Sequence, residues 1–380
     1  MIRVLITCRA LAPSSVLHCS MPLHSPSASS PGHGHLVLSS PLATGGRSRF
    51  SSLSASYPLK LLSPSPLGST PDNLGTCYVL AYGGGLVAGD EISLDIVVEA
   101  RAGLLLLTQG STKVFRVRPG LRPLSLGPRA GIGSGTGTGT DHGKTVQRQH
   151  IRVNEDGFLL LLPNAVQPYA ASSYHQAQRV SLEGKRSSVV LLDWFTAGRS
   201  LSVQKTNTPA MTSGIVATGR TKEEWEFDRY SSLNEVVLDG EAIMRERTVL
   251  ANDPGRSSTT TTPTLADRMR PYQTYATMLI YGPHFDTLLR ALNDLAQDPS
   301  QTQFQAQRPN GTLLWSFSLV GRASTSRDQQ HQHQGHQQRQ GGVLRVAGAE
   351  TEVVGEFIRG VLERGDVEKL VGKGLWERIW

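Results

Sequence analysis

The strongest constraint on this chain is a side-chain period of two. Ile92, Leu94, Ile96 and Val98 alternate with Ser93, Asp95 and Val97. That pattern turns one face toward a core and the other toward solvent, as in a half-buried strand. Leu313, Trp315, Phe317 and Leu319 repeat it. Leu104–Leu107, Phe158–Leu162 and Val189–Leu192 are instead unbroken apolar runs, which as strands require cover on both faces. Gly, Pro, Asn or Asp clusters separate most of these segments, and the 380 residues include 39 glycines and 21 prolines.

Two segments carry a helical period. Phe285, Leu288, Leu289, Leu292 and Leu295 form one apolar stripe, with Pro283 at its first turn. Val353, Val354, Phe357, Ile358, Val361 and Leu362 form another, with Thr351 as the expected cap. Strands and helices do not alternate as a doubly wound fold requires. The expected class is mainly β, a single β-rich domain of stacked strands, β-helix-like or sandwich-like, with two α-helices in its C-terminal half.

Residues 1–56 read as a disordered Ser/Pro-rich extension and 57–380 as the domain. The start is acid-free, Arg-bearing and Ser-rich, a composition that also fits a transit peptide, and Met21 offers a second start. His33 and His35 could touch a metal, but in a flexible segment they are expected to be solvated. Low-complexity surface insertions are expected near 118–145, 202–221, 254–265 and 324–341.

The net charge of +7 is concentrated at the front. No acid precedes Asp72, whereas Arg3, Arg9, Arg47, Arg49 and Lys60 do. The remaining charges nearly cancel and form no basic stripe interleaved with aromatics, which argues against a nucleic-acid partner. No apolar run is long enough for a membrane helix. Three cysteines, Cys8, Cys19 and Cys77, supply neither a disulfide framework nor a cysteine-built zinc site, and fit a reducing, cytoplasmic setting.

Most chemical motifs fail. Gly143-Lys144-Thr145 lacks the glycine five residues earlier, where Thr138 stands, and no helix is expected after it. His331, His333 and His336 lie in a Gln-rich tract that does not fix ligand geometry. A carboxylate pair could be drawn from Asp193, Glu223, Glu224 and Asp228, but no spacing selects one. Two segments remain, YGGGLVAGD (Tyr82–Asp90) and LLLLTQGSTKVFR (Leu104–Arg116), where glycine-rich turns carry dense polar side chains.

In tandem these two segments resemble the urease accessory protein UreD family, called UreH in some bacteria. YPLKLL (Tyr57–Leu62), LLDWFTAGR (Leu191–Arg199), Glu224-Trp225 with Phe227 and Tyr230-Ser231-Ser232, and the terminal Arg378-Ile379-Trp380 match in the family's order. The resemblance implies a non-catalytic maturation factor with no permanently bound cofactor. It would bind urease apoprotein and recruit a UreF-like protein and a UreG-like GTPase for nickel insertion. It also implies a stacked helical array of strands with an internal channel that nickel crosses in transit. By motif position, Asp90, Thr112 and Glu224 would line that route, with Ser111 and Asp193 behind them. Many bacterial members carry acids just after the Leu-Pro step, but LLLPNAVQPYAAS (Leu160–Ser172) carries none. The competing readings are a β-rich hydrolase with a carboxylate pair and a purely structural β-domain.

Overall fold

The computed structural model describes residues 31–116, 143–199, 223–252, 263–299, 312–321 and 340–379. A seven-stranded sheet runs from edge to edge through Glu241–Ala251, Arg229–Leu238, Ser173–Leu182, Thr145–Val153, Glu91–Val98, His33–Leu38 and Phe50–Ala55. An eleven-stranded sheet follows the path Leu313–Gly321, Gln340–Gly348, Thr274–Tyr281, Ser188–Thr196, Phe158–Leu161, Gly103–Thr108, Leu74–Ala81 and Leu59–Leu62. Three short strands, Gly85–Leu86, Thr112–Val114 and Val166–Pro168, pair beside that path.

Through its middle the chain steps repeatedly from one sheet to the other. Glu91–Val98, Thr145–Val153, Ser173–Leu182 and Arg229–Leu238 enter the seven-stranded sheet. Leu74–Ala81, Gly103–Thr108, Phe158–Leu161 and Ser188–Thr196 enter the other between them. Parallel neighbours need a crossover, and here the strand of the opposite sheet serves as one. The stacked strands of each sheet are therefore parallel and in register. Antiparallel strands finish the seven-stranded sheet at both edges, through Phe50–Ala55 and Glu241–Ala251. The result is a short β-solenoid with flattened sides.

The two kinds of apolar pattern separate by face. Leu104, Leu106, Leu159, Leu161, Val189 and Leu191 pack toward Leu36, Leu94, Ile96, Ile151 and Val180 of the other sheet. Leu105, Leu107, Leu160, Val190 and Leu192 point the other way, into a second core with Leu288, Leu292, Ile358 and Val361. Helices therefore cover the outside of the eleven-stranded sheet, as the unbroken runs required.

Both expected helices are present, as Asp286–Gln297 and Thr351–Arg364. Three short ones, Leu265–Met269, Val367–Val371 and Lys373–Trp376, carry too few turns to show a period in sequence. Thr351 is not the cap; that position is Glu350, and the Thr351 hydroxyl instead meets Thr274 Oγ1 at 2.9 Å. The two-residue step from Gly143 to Thr145 opens a strand, not a phosphate-binding helix.

One boundary is corrected. Residues 33–55 belong to the domain and not to a disordered extension, because His33–Leu38 pairs in parallel with Glu91–Val98 and buries Leu36 and Leu38. Gly34 and two histidines obscured this strand in sequence, while the in-register partner that stabilises it lies far along the chain. His33 is consequently buried, not solvated. The expected insertions are also shorter than read, since Thr145 starts a strand and Thr264 caps Leu265–Met269. The rest of those insertions, and residues 1–30, lie outside the described residues.

Leu288 is fully buried, and a Cβ added at Gly365 would stand only 2.6 Å from it. Leu288→Ala is therefore expected to destabilise the chain by about 2–5 kcal/mol, measured by denaturant unfolding.

Candidate functional site

Between the sheets the apolar core gives way to a polar layer, and strand phase dictates its membership. Val180 and Leu182 face inward, so Gln178, Gln176 and Tyr174 share that face. Ile151 and Val153 fix Gln149 and Gln147 in the same way, and Val236 fixes Asn234, Ser232 and Tyr230. Parallel register then sets like beside like. Gln149, Gln178 and Asn234 form one row, Gln147, Gln176 and Ser232 the next. Asp193 enters from the facing sheet, on the inward phase of Val189, Leu191 and Phe195.

Asp193 organises these rows. Its carboxylate accepts from Ser232 Oγ at 2.5 Å, Asn234 Nδ2 at 2.7 Å, Gln176 Nε2 at 3.1 Å and the Tyr230 hydroxyl at 3.4 Å. The Tyr174 hydroxyl donates to Gln176 Oε1 at 2.9 Å, and Gln178 Nε2 to Gln149 Oε1 at 3.4 Å. Loss of water raises the Asp193 pKa above the ordinary carboxylate value, and its hydrogen bonds oppose that shift. Burial beside Asp193 likewise raises the pKa of both tyrosines, which stay protonated donors. Gln178 Oε1 and Asn234 Oδ1 are buried without a hydrogen-bond partner.

A cavity of about 50 Å³ borders Asp193, Gln176, Gln178, Gln149 and Asn164. It exceeds the ~10–15 Å³ that one water molecule needs. Among the described residues Asp193 is the one carboxylate that lines it, so a two-acid hydrolytic mechanism finds no second acid among them. Toward one edge, Asn234 registers with Glu246, which is ion-paired to Arg345 at 2.8 Å. Arg345 in turn registers with Thr277, the neighbour of Asp193.

The five residues singled out by motif position do not all converge. Asp193 and Thr112 line the same cavity. Ser111 precedes Thr112 but does not line it. Asp90 is buried at the turn before Glu91–Val98, where its Oδ2 accepts from the Val87 amide at 2.8 Å. Glu224 pairs across a two-residue ladder with Gly198 and accepts from Gln273 Nε2 at 3.2 Å. Gly198 needs its φ of 117° there, and a Cβ would sit 2.6 Å from the Glu223 carbonyl. Sequence reasoning missed the glutamines and Asn234. Their signal was polar residues on the inward phase set by Ile151, Val180 and Val236.

Because the folded pKa of Asp193 is raised, the native state holds its proton more tightly than the unfolded chain. Stability from this group is therefore full below the ordinary carboxyl pKa and declines as pH rises above it. Asp193→Asn is expected to flatten that decline, measured as unfolding free energy against pH for both proteins.

Comparison with known proteins places this geometry. The family described as UreD urease accessory protein matches residues 31–213 and 205–380. A Cryptococcus neoformans protein named "Urease accessory protein 4" is 41% identical over 359 residues, covering 94% of this chain and 97% of its own. "Urease accessory protein UreD" of Sorangium cellulosum is 31% identical, covering 87% of this chain and 79% of its own. "Urease accessory protein D" of Oryza sativa subsp. indica is 29% identical over 74% of this chain and 72% of its own. The resemblance seen at YGGGLVAGD and LLTQGSTKVFR thus extends through both sheets and the C-terminal helices, and the chain belongs to the UreD family of urease accessory proteins, maturation factors rather than enzymes.

Proposed function

We propose that this chain supports urease maturation by binding urease apoprotein together with a UreF-like protein and a UreG-like GTPase, and by passing nickel through the polar layer around Asp193. The single observation that carries the reading is that layer itself. It places one carboxylate, two unpartnered amide oxygens and a cavity inside a core that is otherwise apolar. A cation in transit needs donors that replace part of its hydration and still release it. Oxygen ligands do this for nickel, whereas thiolates would trap it. Burial pushes the Cys77 thiol up to about 12, so it stays protonated and binds metal poorly.

The route differs from one lined by acids. In LLLPNAVQPYAAS the polar cavity residue is Asn164, whose amide donates to the Thr108 carbonyl at 3.2 Å. Nickel would therefore move along amides and hydroxyls, with Asp193 as the charged station. Asp90 and Glu224 do not line the cavity and would act on the route only near its ends. Recruitment falls to the helical face over the eleven-stranded sheet, where Asp286–Gln297 and Thr351–Arg364 present their outer sides. The setting is cytoplasmic, with no nucleic-acid partner. Among the described residues no helix is long and apolar enough to cross a membrane.

Gln178→Leu and Asn234→Leu test the route by removing its free oxygens at similar volume. In source cells carrying either variant, urease is expected to be abundant on a blot yet nickel-poor, with activity reduced several-fold. The variant chain should still co-purify with urease and both partners. Normal urease activity with a well-expressed variant would overturn the nickel route. Loss of co-purification would place these residues in partner binding instead.

A further inference from the structure

We propose that the open edge between the two sheets, formed by Phe50–Ala55 and Leu59–Leu62, binds an extended acidic segment of a partner protein as an added β-strand. The proposal does not rest on the nickel route.

Phe50–Ala55 ends the seven-stranded sheet and Leu59–Leu62 ends the eleven-stranded one, so the core between the sheets comes to the surface here. Leu53 registers with the fully buried Leu36 and shares its inward phase. It is nonetheless 37% exposed, because no described strand follows it. Leu53, Ala55, Tyr57, Leu59, Leu61 and Tyr82 line a groove of about 240 Å³. Tyr57 and Tyr82, both about half exposed, stand 5.5 Å apart in it. A contiguous apolar patch of this kind marks an interaction surface. Leu59 also lines the cavity at Asp193, so it forms the wall between the groove and the polar layer.

The backbone of this edge offers the matching hydrogen bonds. Ser56 donates its amide to the His33 carbonyl at 2.8 Å. Such bonds alternate along an antiparallel ladder, so Ser54 also turns its amide and carbonyl toward His33–Leu38, and Leu53 and Ala55 turn theirs outward. Among the described residues no strand takes them up. An added strand would do so while its side chains fill the groove. Exposed sheet edges are ordinarily guarded by charge or proline. The far edge of the same sheet is guarded, since its last strand carries Glu241, Arg245, Glu246 and Arg247. Phe50–Ala55 has no charged residue and no proline. Its one irregularity, a bulge at Ser51, leaves Leu53 and Ala55 in regular pairing.

Charge identifies the occupant. No Asp or Glu occurs from Pro31 to Pro71, whereas Arg49 and Lys60 are both exposed. Lys60 lines the groove, with its Nζ 5.7 Å from the centre of the Tyr82 ring. Glu91 and Asp95, on the strand beyond His33–Leu38, are already engaged by Arg148 and His33. An acidic strand therefore meets complementary charge at this edge. A second copy of the chain would bring Arg49 and Lys60 against their own kind, and residues 1–30 contain no acid at all.

The test uses the full chain and a synthetic nonapeptide, Glu-Val-Thr-Val-Glu-Val-Thr-Val-Glu, with a lysine-for-glutamate version and a scrambled version as controls. By fluorescence anisotropy the acidic peptide is expected to bind at least about tenfold more tightly than either control. Its binding should slow amide exchange across Phe50–Ala55. Lys60→Glu should reverse the preference toward the lysine peptide, which a lysine of merely structural role would not do. Leu53→Glu should abolish binding of the acidic peptide. Both variants replace exposed side chains, so the circular dichroism spectrum should be unchanged. Equal affinity for the three peptides, or unchanged exchange at Phe50–Ala55, would overturn the proposal. A dimer in light scattering that Leu53→Glu dissociates would overturn it in favour of a second copy. Peptide binding that requires deletion of residues 1–30 would overturn it in favour of the chain's own N-terminal segment.

Discussion

A β-strand turns alternate side chains to opposite faces, so the register between strands decides what an interior contains. Here Thr145–Val153, Ser173–Leu182 and Arg229–Leu238 stack in parallel without offset. That stacking sets Gln149 beside Gln178 and Asn234, and Gln147 beside Gln176 and Ser232. A slip of one residue would turn these amides to solvent and drive Arg179, Arg148 and Glu235 inward. The polar layer therefore depends on backbone pairing, and backbone pairing depends on the apolar residues at the other end of each strand. Val180, Leu182, Ile151 and Val236 hold the register that the amides use.

A buried carboxylate and rows of buried amides would be costly without partners. Asp193 meets that cost with four neutral donors, Ser232, Asn234, Tyr230 and Gln176, all of the facing sheet. Every donor sits on an element that is itself locked by the core, so the arrangement is preorganised and not assembled on demand. The two unpartnered oxygens, on Gln178 and Asn234, are the exception in this layer. Across the eleven-stranded sheet the chemistry is entirely different. Leu160, Val190 and Leu192 bury against Leu288 and Ile358, and the helices exist to cover that second face.

The same strands carry opposite chemistry on their two sides. Inward, Gln149 and Gln178 are neutral; outward, His150 and Arg179 register with Asp95 and Glu235. Water screens charges on the outer face, where Arg179, Arg245 and Glu235 form ion pairs, and makes such a ladder inexpensive. His33 and Glu235 break that pattern, being outer-face side chains that are nonetheless buried.

The strands Glu91–Val98, Gly103–Thr108, Phe158–Leu161, Ser188–Thr196 and Leu313–Gly321, the two long helices and the double cover over Leu104–Leu107 and Val189–Leu192 were legible in the sequence, because each is written in local periodicity. The motif resemblance also pointed to Asp193 and Thr112 before any geometry was available. It could not say that these two line one cavity while Asp90 and Glu224 do not. His33–Leu38 was misread because its stability comes from pairing with Glu91–Val98 and not from its own apolar content. The glutamine rows were hidden for a related reason. Phase along a strand is a property of that strand, and the sequence by itself determined it. Which strand lies beside which, and in what register, is a property of contacts between segments far apart in the chain, and only the tertiary structure decided that.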